Sequence, residues 1–190
     1  MRGEVDGDVL AGLVEAARAG DRPALEELLR RLRGPLLRYC TARLGSRERG
    51  EDVTQEVCLA LVHALPRYEQ RGLAFTAFAF RIAQRRIVDS YRSEARRPLH
   101  LVAEIPEILD EGDGPQEHVE RVERIGVARE LLARLPDAQR DVVLLRVTGG
   151  LSAQETAEVL GSTPGAVRVM QHRALTRLRQ LAAEHAGAQT

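Results

Sequence analysis

Four arginines in residues 74–97 recur at a spacing that puts them on one side of a helix, at about 100° per residue. This arginine stripe consists of Arg81, Arg85, Arg92 and Arg96. Guanidinium groups neutralise phosphates and aromatic rings stack on bases, so a stripe edged by Phe78 is typical of a surface for single-stranded nucleic acid. The alternative interpretation is a solvated arginine face, with Phe75 and Phe78 in the core.

Residues 152–179 have the spacing of a helix-turn-helix motif. Ser152 and Glu155 form an S-x-x-E capping box at the start of a short helix. Gly161 ends that helix, because glycine can adopt the left-handed turn, and Thr163 caps the next one. A recognition helix needs an outer polar face to reach base edges and phosphates in a major groove. The outer face predicted here consists of Arg168, Val169, His172, Arg173 and Thr176.

The inner face of the same helix is predicted to be apolar. It consists of Val167, Met170, Ala174, Leu178 and Leu181. Gln171 falls at the edge of this face, where an aliphatic residue would be easier to explain. An ordinary helical hairpin with an exposed polar face is the alternative to a DNA-binding motif.

Helices must position both surfaces, and almost the whole chain has helical periodicity. Asp8 is a candidate N-cap for a first helix that ends near Gly20. Asp21 can cap the next helix, which Gly45 ends and which Pro35 should kink or split. Later helices are predicted at about 51–65, 74–97, 117–135, 136–147, 153–160 and 164–181. In the helix of residues 74–97 the buried face is predicted to consist of Phe80, Ala83, Ile87 and Tyr91.

Positive and negative charges are concentrated in different segments of the chain, although the formal net charge is zero. All 28 basic residues are arginine, and residues 24–97 carry net +6 while residues 98–127 carry net −6. Prolines, glycines and acids between residues 98 and 115 are typical of a linker. We therefore predict an all-α chain of two helical modules, at 8–97 and 117–183, joined by an acidic linker at 98–116. This asymmetry favours a polyanionic partner.

Several classes of protein have no support in the sequence. Neither a nucleophile motif, nor a phosphate-binding glycine loop, nor a pair of metal-spaced histidines is found, so no catalytic residue, metal site or cofactor is predicted. Two cysteines, Cys40 and Cys58, are too few for a disulfide scaffold or a four-cysteine zinc site, and we expect them in the helical core. We expect a cytoplasmic location without membrane insertion, since no leader or spanning segment is found.

Two stretches of the chain resemble a known family when they are taken in order. The string GEDVTQEVCLALVHALPRYEQRGLAFTAFAFRIAQRRIVDSYR resembles region 2 of bacterial RNA polymerase sigma factors. The string LLARLPDAQRDVVLLRVTGGLSAQETAEVLGSTPGAVRVMQHRALTRLR resembles their region 4. The short linker resembles that of the extracytoplasmic-function (ECF) group, and QEVCLA, ALPRY and GAVRVMQHRAL resemble its SigD-type subgroup. The resemblance implies a non-enzymatic subunit that directs promoter-specific transcription.

The resemblance also implies roles for residues and partners. Core RNA polymerase would be bound through its β′ clamp helices and β flap, promoter DNA would be the second partner, and an anti-sigma factor the third. Asp52, Gln55 and Glu56 match the acidic-polar patch that docks on the clamp helices. The resemblance assigns contact with the −10 strand to Phe78, Arg81, Arg85 and Arg92. It assigns contact with the −35 element to Thr163, Arg168, Val169, His172, Arg173 and Arg177.

The chain departs from the family pattern at two of these positions. The family often has Trp at the place of Phe78 and Asn at the place of Arg85. Since that Asn commonly helps to hold a flipped −10 base, the −10 preference cannot be transferred from other members. Two other readings remain open at this point. One is a stand-alone helix-turn-helix regulator whose first module senses or dimerises, and the other is a helical nucleic-acid enzyme.

Overall fold

The computed structural model describes residues 2–69, 74–94 and 115–187. Within these ranges the chain forms eight α-helices and no β-strand, which confirms the predicted all-α class. A turn of 3-10 helix, Leu65–Arg67, follows the third helix. The helices are α1 (Arg2–Arg18), α2 (Arg22–Leu44), α3 (Arg47–Ala64), α4 (Phe75–Glu94), α5 (Pro115–Ala133), α6 (Asp137–Val147), α7 (Ala153–Leu160) and α8 (Pro164–Gly187).

Capping side chains begin α2, α3, α7 and α8, and left-handed glycines end α2 and α7. The Asp21 carboxylate accepts a hydrogen bond from the Ala24 amide at 3.1 Å, as predicted, and Gly45 ends α2 in the left-handed conformation with φ 69°. The predicted start of α1 at Asp8 is wrong, because the helix already begins at Arg2. The predicted start of α3 near Glu51 is also late, since Ser46 caps the helix one full turn earlier.

Pro35 was predicted to kink or split its helix; α2 runs unbroken through this proline, so the split is wrong. A proline inside a helix costs about 3 kcal/mol through a lost hydrogen bond and a steric clash. Leu32, Leu36 and Tyr39 on either side of it are at most 3 % exposed. Burying a large apolar side chain contributes about 1.5–3 kcal/mol, so the core on both sides of Pro35 offsets the local cost.

The first module is built from α1 to α4 around one apolar core. Phe80 and Tyr39 are fully buried and meet edge to face, with ring centroids 5.4 Å apart. Ala83 and Ile87 of α4 are buried as predicted. Tyr91 is not: its side chain is 39 % exposed, and its hydroxyl donates a hydrogen bond to the Arg43 carbonyl at the module surface.

The second module is built from α5 to α8, and it packs directly against the first. Val142, Ala157 and Val167 form one of its apolar clusters. Other side chains of this module belong to the core of the first module, namely Leu144, Leu145, Leu151 and Val159. The sequence predicted two modules joined by a linker, and the structure adds an extensive contact between them. The predicted linker lies outside the described residues up to residue 114, and α5 begins at Pro115.

Gly50 marks a close approach of α2 and α3. A Cβ added at Gly50 would lie 2.9 Å from both the backbone nitrogen and the Cα of Thr41. We expect Gly50→Ala to destabilise the protein by about 1–3 kcal/mol, because the two backbones must move apart. Urea unfolding followed by circular dichroism measures this change. The matched control is Gly12→Ala in α1, where a Cβ meets no atom within 4 Å. A helical Gly→Ala change of that kind should stabilise by up to about 1 kcal/mol, and equal effects of the two variants would contradict the close-approach explanation.

Candidate nucleic-acid interface

The arginine stripe lies on α4, on the side of the helix away from Phe80 and Ile87. Arg85 and Arg92 are exposed, and Arg81 is partly buried. Arg92 lies 3.6 Å from Asp89 in an ion pair whose two side chains are both more than 60 % exposed. Such a pair contributes little energy, so Arg92 is available to a phosphate. Arg96 lies outside the described residues.

An aromatic cluster of Tyr68, Phe75 and Phe78 stands at the start of α4. The Tyr68 ring meets Phe75 edge to face at 4.9 Å and lies 5.3 Å from the ring of Phe78. Phe75 and Tyr68 are 5 % and 7 % exposed, whereas Phe78 is only partly buried. Phe75 is therefore a core residue, and Phe78 is the member of the cluster that remains accessible to a base. Sequence reasoning missed Tyr68, because this residue follows the turn Leu65–Arg67 and lies in no helix whose periodicity could indicate its burial.

Asp52, Gln55 and Glu56 form an exposed patch on α3, called here the docking patch. Val53 and Val57 on the opposite side of the helix are buried and fix its orientation. The Glu56 carboxylate lies 3.7 Å from the guanidinium of Arg86 on α4, and both side chains are about half exposed. Leu59 continues the same face one turn further and is 55 % exposed. The patch is thus an accessible acidic surface with one apolar neighbour.

The helix-turn-helix motif has the local structure that its sequence predicts. The Ser152 hydroxyl accepts a hydrogen bond from the Glu155 amide at 3.2 Å, and the Glu155 carboxylate accepts one from the Ser152 amide at 2.7 Å. Gly161 ends α7 in the left-handed conformation with φ 62°. The Thr163 hydroxyl accepts a hydrogen bond from the Ala166 amide at 3.2 Å, so this side chain caps α8.

Helix α8 separates an inner apolar face from an outer polar face, as predicted. Val167, Ala174 and Leu181 are fully buried, while Met170 and Leu178 are partly buried. The outer side chains are exposed, and Val169 among them is 51 % exposed. They are Arg168, Val169, His172, Arg173, Thr176 and Arg177. Caps, turn and burial together leave one face of α8 free to enter a groove.

Arg146 explains the unusual Gln171 and was missed by sequence reasoning. Its Nε atom donates a hydrogen bond to the Gln171 side-chain oxygen at 3.2 Å, and its Nη1 atom donates to the carbonyl of Leu151. One side chain of α6 therefore holds both the turn before α7 and the middle of α8. The sequence signal was the polar residue at an apolar position, which indicates a buried or half-buried partner elsewhere.

The described residues contain no obvious reactive centre. Burial raises the pKa of the Cys40 thiol to about 11, so this cysteine is protonated and unreactive at neutral pH. Cys58 is only partly buried, so the prediction of a core position holds fully for Cys40 alone. Across residues 2–69, 74–94 and 115–187, no group of three or more His, Cys, Asp or Glu side chains could hold a metal ion. Over the same ranges, no helix combines the length and hydropathy of a membrane span.

Comparison with protein families divides the chain at the boundary between the modules. Residues 28–97 match the family described as sigma-70 region 2, and residues 126–178 match sigma-70, region 4. The first match contains the docking patch, the aromatic cluster and the arginine stripe. The second contains α6, α7 and the polar face of α8.

Known proteins resemble the chain over most of its length. The ECF RNA polymerase sigma factor SigD of Mycobacterium tuberculosis is 45 % identical, over 92 % of this chain and 84 % of that protein. The ECF RNA polymerase sigma factor ShbA of Streptomyces griseus is 44 % identical, over 92 % of this chain and 95 % of its own length. The solved structure of CnrH in complex with the cytosolic domain of CnrY is 26 % identical with a TM-score of 0.65. That comparison covers 90 % of this chain and 96 % of CnrH.

Proposed function

The chain belongs to the ECF family of RNA polymerase sigma factors, and we propose that it binds core RNA polymerase and directs it to promoters with −10 and −35 elements. The observation that carries this proposal is the presence, in family order and on two modules, of two surfaces that suit two different forms of nucleic acid. One is an arginine stripe beside an accessible aromatic ring, which suits an unpaired strand. The other is a helix-turn-helix, which suits a duplex.

In this proposal the first module, residues 8–97, contacts the polymerase and the −10 element. The docking patch supplies two exposed carboxylates and an amide to the β′ clamp helices. Phe78 stacks on an unpaired base, while Arg81, Arg85 and Arg92 neutralise phosphates of the melted strand. The half-buried position of Phe78 supports this role, because the cluster behind it holds the ring in one orientation.

The second module, residues 117–183, contacts the −35 element and the β flap. Arg168, Val169, His172 and Arg173 face the major groove, and Arg177 lies one turn or more further along α8, where a phosphate is the expected neighbour. Thr163 reaches the same surface from the start of the helix.

Run-off transcription tests the proposal directly. Purified chain and core polymerase are incubated with a template that carries the promoter found by mapping transcript starts after overexpression. A promoter-specific transcript that requires the chain is the expected result. A stand-alone helix-turn-helix regulator would bind the same DNA without core polymerase and give no transcript. Turnover of DNA or RNA by the chain alone would instead favour an enzyme. We propose a non-catalytic subunit that needs no cofactor. We also propose that it acts in the cytoplasm.

Promoter melting depends on Phe78 and Arg85 in this proposal. We expect Phe78→Ala and Arg85→Ala to lower open-complex formation by about 5-fold to 150-fold, since base–aromatic stacking contributes about 1–3 kcal/mol per base. Permanganate reactivity of −10 thymines measures melting, and closed-complex affinity should change less. Arg22→Ala, an exposed arginine at the start of α2, is the control. Normal reactivity in both variants would mean that the stripe is only a solvated face.

An anti-sigma factor is the proposed third partner. Both the docking patch and the outer face of α8 are exposed in the chain by itself, so a partner that covers either one would block initiation. We expect such a partner, anchored in the membrane as is common in this group, to co-purify with tagged chain from uninduced cells. Mass spectrometry identifies the bound proteins. Recovery of polymerase subunits alone would argue against this partner.

A further inference from the structure

Tyr91 is the one member of the predicted buried face of α4 that the structure places at the surface. Its side chain is 39 % exposed, whereas Ile87, one turn earlier, is 1 % exposed. Arg92 and Ser93, which follow it, are exposed as well. The core of the first module therefore ends at Ile87 on this helix, and the last turns of α4 carry a tyrosine ring beyond it.

Contacts with α2 and α3 hold the Tyr91 ring in place. Its hydroxyl donates a hydrogen bond to the Arg43 carbonyl in the last turn of α2. The Arg49 guanidinium of α3 lies over one face of the ring, with its Cζ atom 5.8 Å from the ring centroid, and its Nη2 atom donates to the Ser90 hydroxyl at 3.2 Å. A cation over a ring face is attracted to it, and a ring that is already held loses little freedom when a ligand stacks on it. A ligand can therefore stack only on the face that Arg49 does not cover.

The Tyr91 ring borders the arginine stripe on the side away from Phe78. With Arg81 as the reference and about 100° per residue, Phe78 and Arg85 lie at about +60° and +40° around α4. Val88 and Tyr91 follow at about −20° and −80°. These positions form a diagonal path along the helix, and Arg85, Val88 and Tyr91 on it are exposed. A strand that stacks on Phe78 and follows this path passes the stripe and reaches Tyr91.

The separation of the two rings suits a short single strand. Phe78 and Tyr91 are 13 positions apart on one helix, which is about 20 Å at about 1.5 Å per residue. Stacked nucleotides advance by about 3.4 Å each, so this distance corresponds to about six nucleotides. A strand of that length would have phosphates beside the stripe and unpaired bases at both rings. A duplex would not suit the two rings, because its bases are already stacked on each other.

We propose that Tyr91 is a second base-stacking residue of the first module, so that an aromatic ring holds the melted strand at each end of the arginine stripe. The proposal rests on the proposed function, because it adds a contact to the strand that this module binds. Every base has a face that can stack, so Tyr91 adds affinity for the strand without a base preference. If Tyr91 instead only ties α4 to α2, its hydroxyl is the important group and its ring is not.

Substitutions at Tyr91 separate the ring from the hydroxyl. Tyr91→Phe keeps the ring and removes the hydrogen bond to Arg43, whereas Tyr91→Leu removes both and keeps an apolar side chain. Tyr91→Trp supplies a larger ring without the hydroxyl. The matched control is Val9→Ala on α1, which shortens an apolar side chain of the same module that is 43 % exposed.

Fluorescence anisotropy of a labelled single-stranded −10 oligonucleotide, titrated with the chain bound to core polymerase, measures the contact. We expect Tyr91→Leu to raise the Kd by about 5-fold to 150-fold, as for the loss of one stacked base. Tyr91→Phe and Val9→Ala should bind like the wild type, and Tyr91→Trp at least as tightly. Equal losses for Tyr91→Phe and Tyr91→Leu, or no loss for Tyr91→Leu, would overturn the proposal. If Tyr91→Leu loses helix content by circular dichroism, weaker binding by Tyr91→Trp than by Tyr91→Phe would overturn it.

Shortened oligonucleotides test where along the strand Tyr91 acts. Because the two rings are about six nucleotides apart, an oligonucleotide of about four nucleotides reaches only one of them at a time. We expect the effect of Tyr91→Leu to disappear when the strand is trimmed from one end, and the effect of Phe78→Ala to disappear when it is trimmed from the other. A loss for Tyr91→Leu that is the same at every length would mean that the residue acts through the fold, and would overturn the proposal.

The same titrations distinguish failure of this proposal from failure of the proposed function. If the wild-type chain does not bind core polymerase, or the complex does not bind the −10 oligonucleotide, the proposed function is rejected and the contact of Tyr91 with it. If the wild type binds the oligonucleotide and Phe78→Ala weakens binding while Tyr91→Leu does not, only the role of Tyr91 is rejected.

Discussion

Reversing the charges of Asp52 and Glu56 together should abolish transcription by weakening binding to core RNA polymerase at least 100-fold. Juxtaposed like charges cost several kcal/mol at an interface, and each 1.4 kcal/mol is a factor of ten in affinity. Both carboxylates lie exposed on one face of α3, opposite buried Val53 and Val57. The double variant Asp52→Arg/Glu56→Arg therefore changes the surface that the polymerase meets and leaves the core untouched.

The fold should tolerate this double reversal. Surface substitutions away from special features change the free energy of unfolding by about 0.5 kcal/mol or less. The exposed ion pair between Glu56 and Arg86 adds at most about 1 kcal/mol to that loss. Fluorescence anisotropy of labelled chain titrated with core polymerase measures the affinity, and thermal unfolding checks the fold.

A matched control separates the docking patch from net charge. Glu26→Arg/Glu130→Arg changes the net charge by the same amount at two exposed glutamates on α2 and α5. We expect this control to bind core polymerase with nearly wild-type affinity. If both double variants lose affinity equally, long-range charge explains the effect and Asp52 and Glu56 have no specific role. If neither does, the polymerase binds elsewhere.

Replacing Arg168 by alanine should relax the base preference at one or two −35 positions. Arg168 is exposed near the start of α8, where recognition helices enter the major groove. An arginine there can pair with O6 and N7 of guanine, a contact that discriminates between bases by about 1–3 kcal/mol. We therefore expect the wild type to prefer one base by about 5-fold to 150-fold at that position, and Arg168→Ala to bind all four bases nearly alike.

Arg177 is the matched comparison on the same helix. It is also exposed, but it lies nine positions further along α8, where phosphates are the expected neighbours. Arg177→Ala should weaken binding to all sequences alike and lower the salt dependence by about one unit of slope. Holoenzyme binding to −35 point variants at several salt concentrations measures both effects. If Arg168→Ala instead lowers the affinity for all −35 variants equally and keeps the base preference, Arg168 contacts a phosphate and not a base.

Local signals were sufficient for the presence of the helices, for several of their ends and for the surfaces that lie on single helices. Asp21, Ser152 and Gly161 mark helix ends through hydrogen bonds and backbone conformations that involve residues at most a few positions away. The outer face of α8 follows from its periodicity, since one buried side of a helix defines the other. The docking patch follows in the same way from Val53 and Val57. Such features are predictable because their cause is local in the chain.

Contacts between distant elements decided the features that local signals did not predict. Pro35 lies inside an unbroken helix because core side chains on both sides of it hold the helix together. Phe78 differs from its neighbour Phe75 because Tyr68 and the start of α4 leave only one of the two rings partly open. Gln171 is explained by Arg146, which is 25 positions away along the chain. None of these outcomes could be predicted from periodicity, which says which side is buried but not what covers it.

The sequence by itself determined an all-α chain, two modules in family order and which side chains are exposed on α3 and α8. The tertiary structure alone decided that the modules pack together. Tyr39 and Asp141 are 102 positions apart, and neither has a local pattern that predicts the other. A buried polar side chain is stable only with its partner, and the identity of that partner depends on how whole helices pack. The arrangement of the modules is therefore a property of the packed chain and not of any segment.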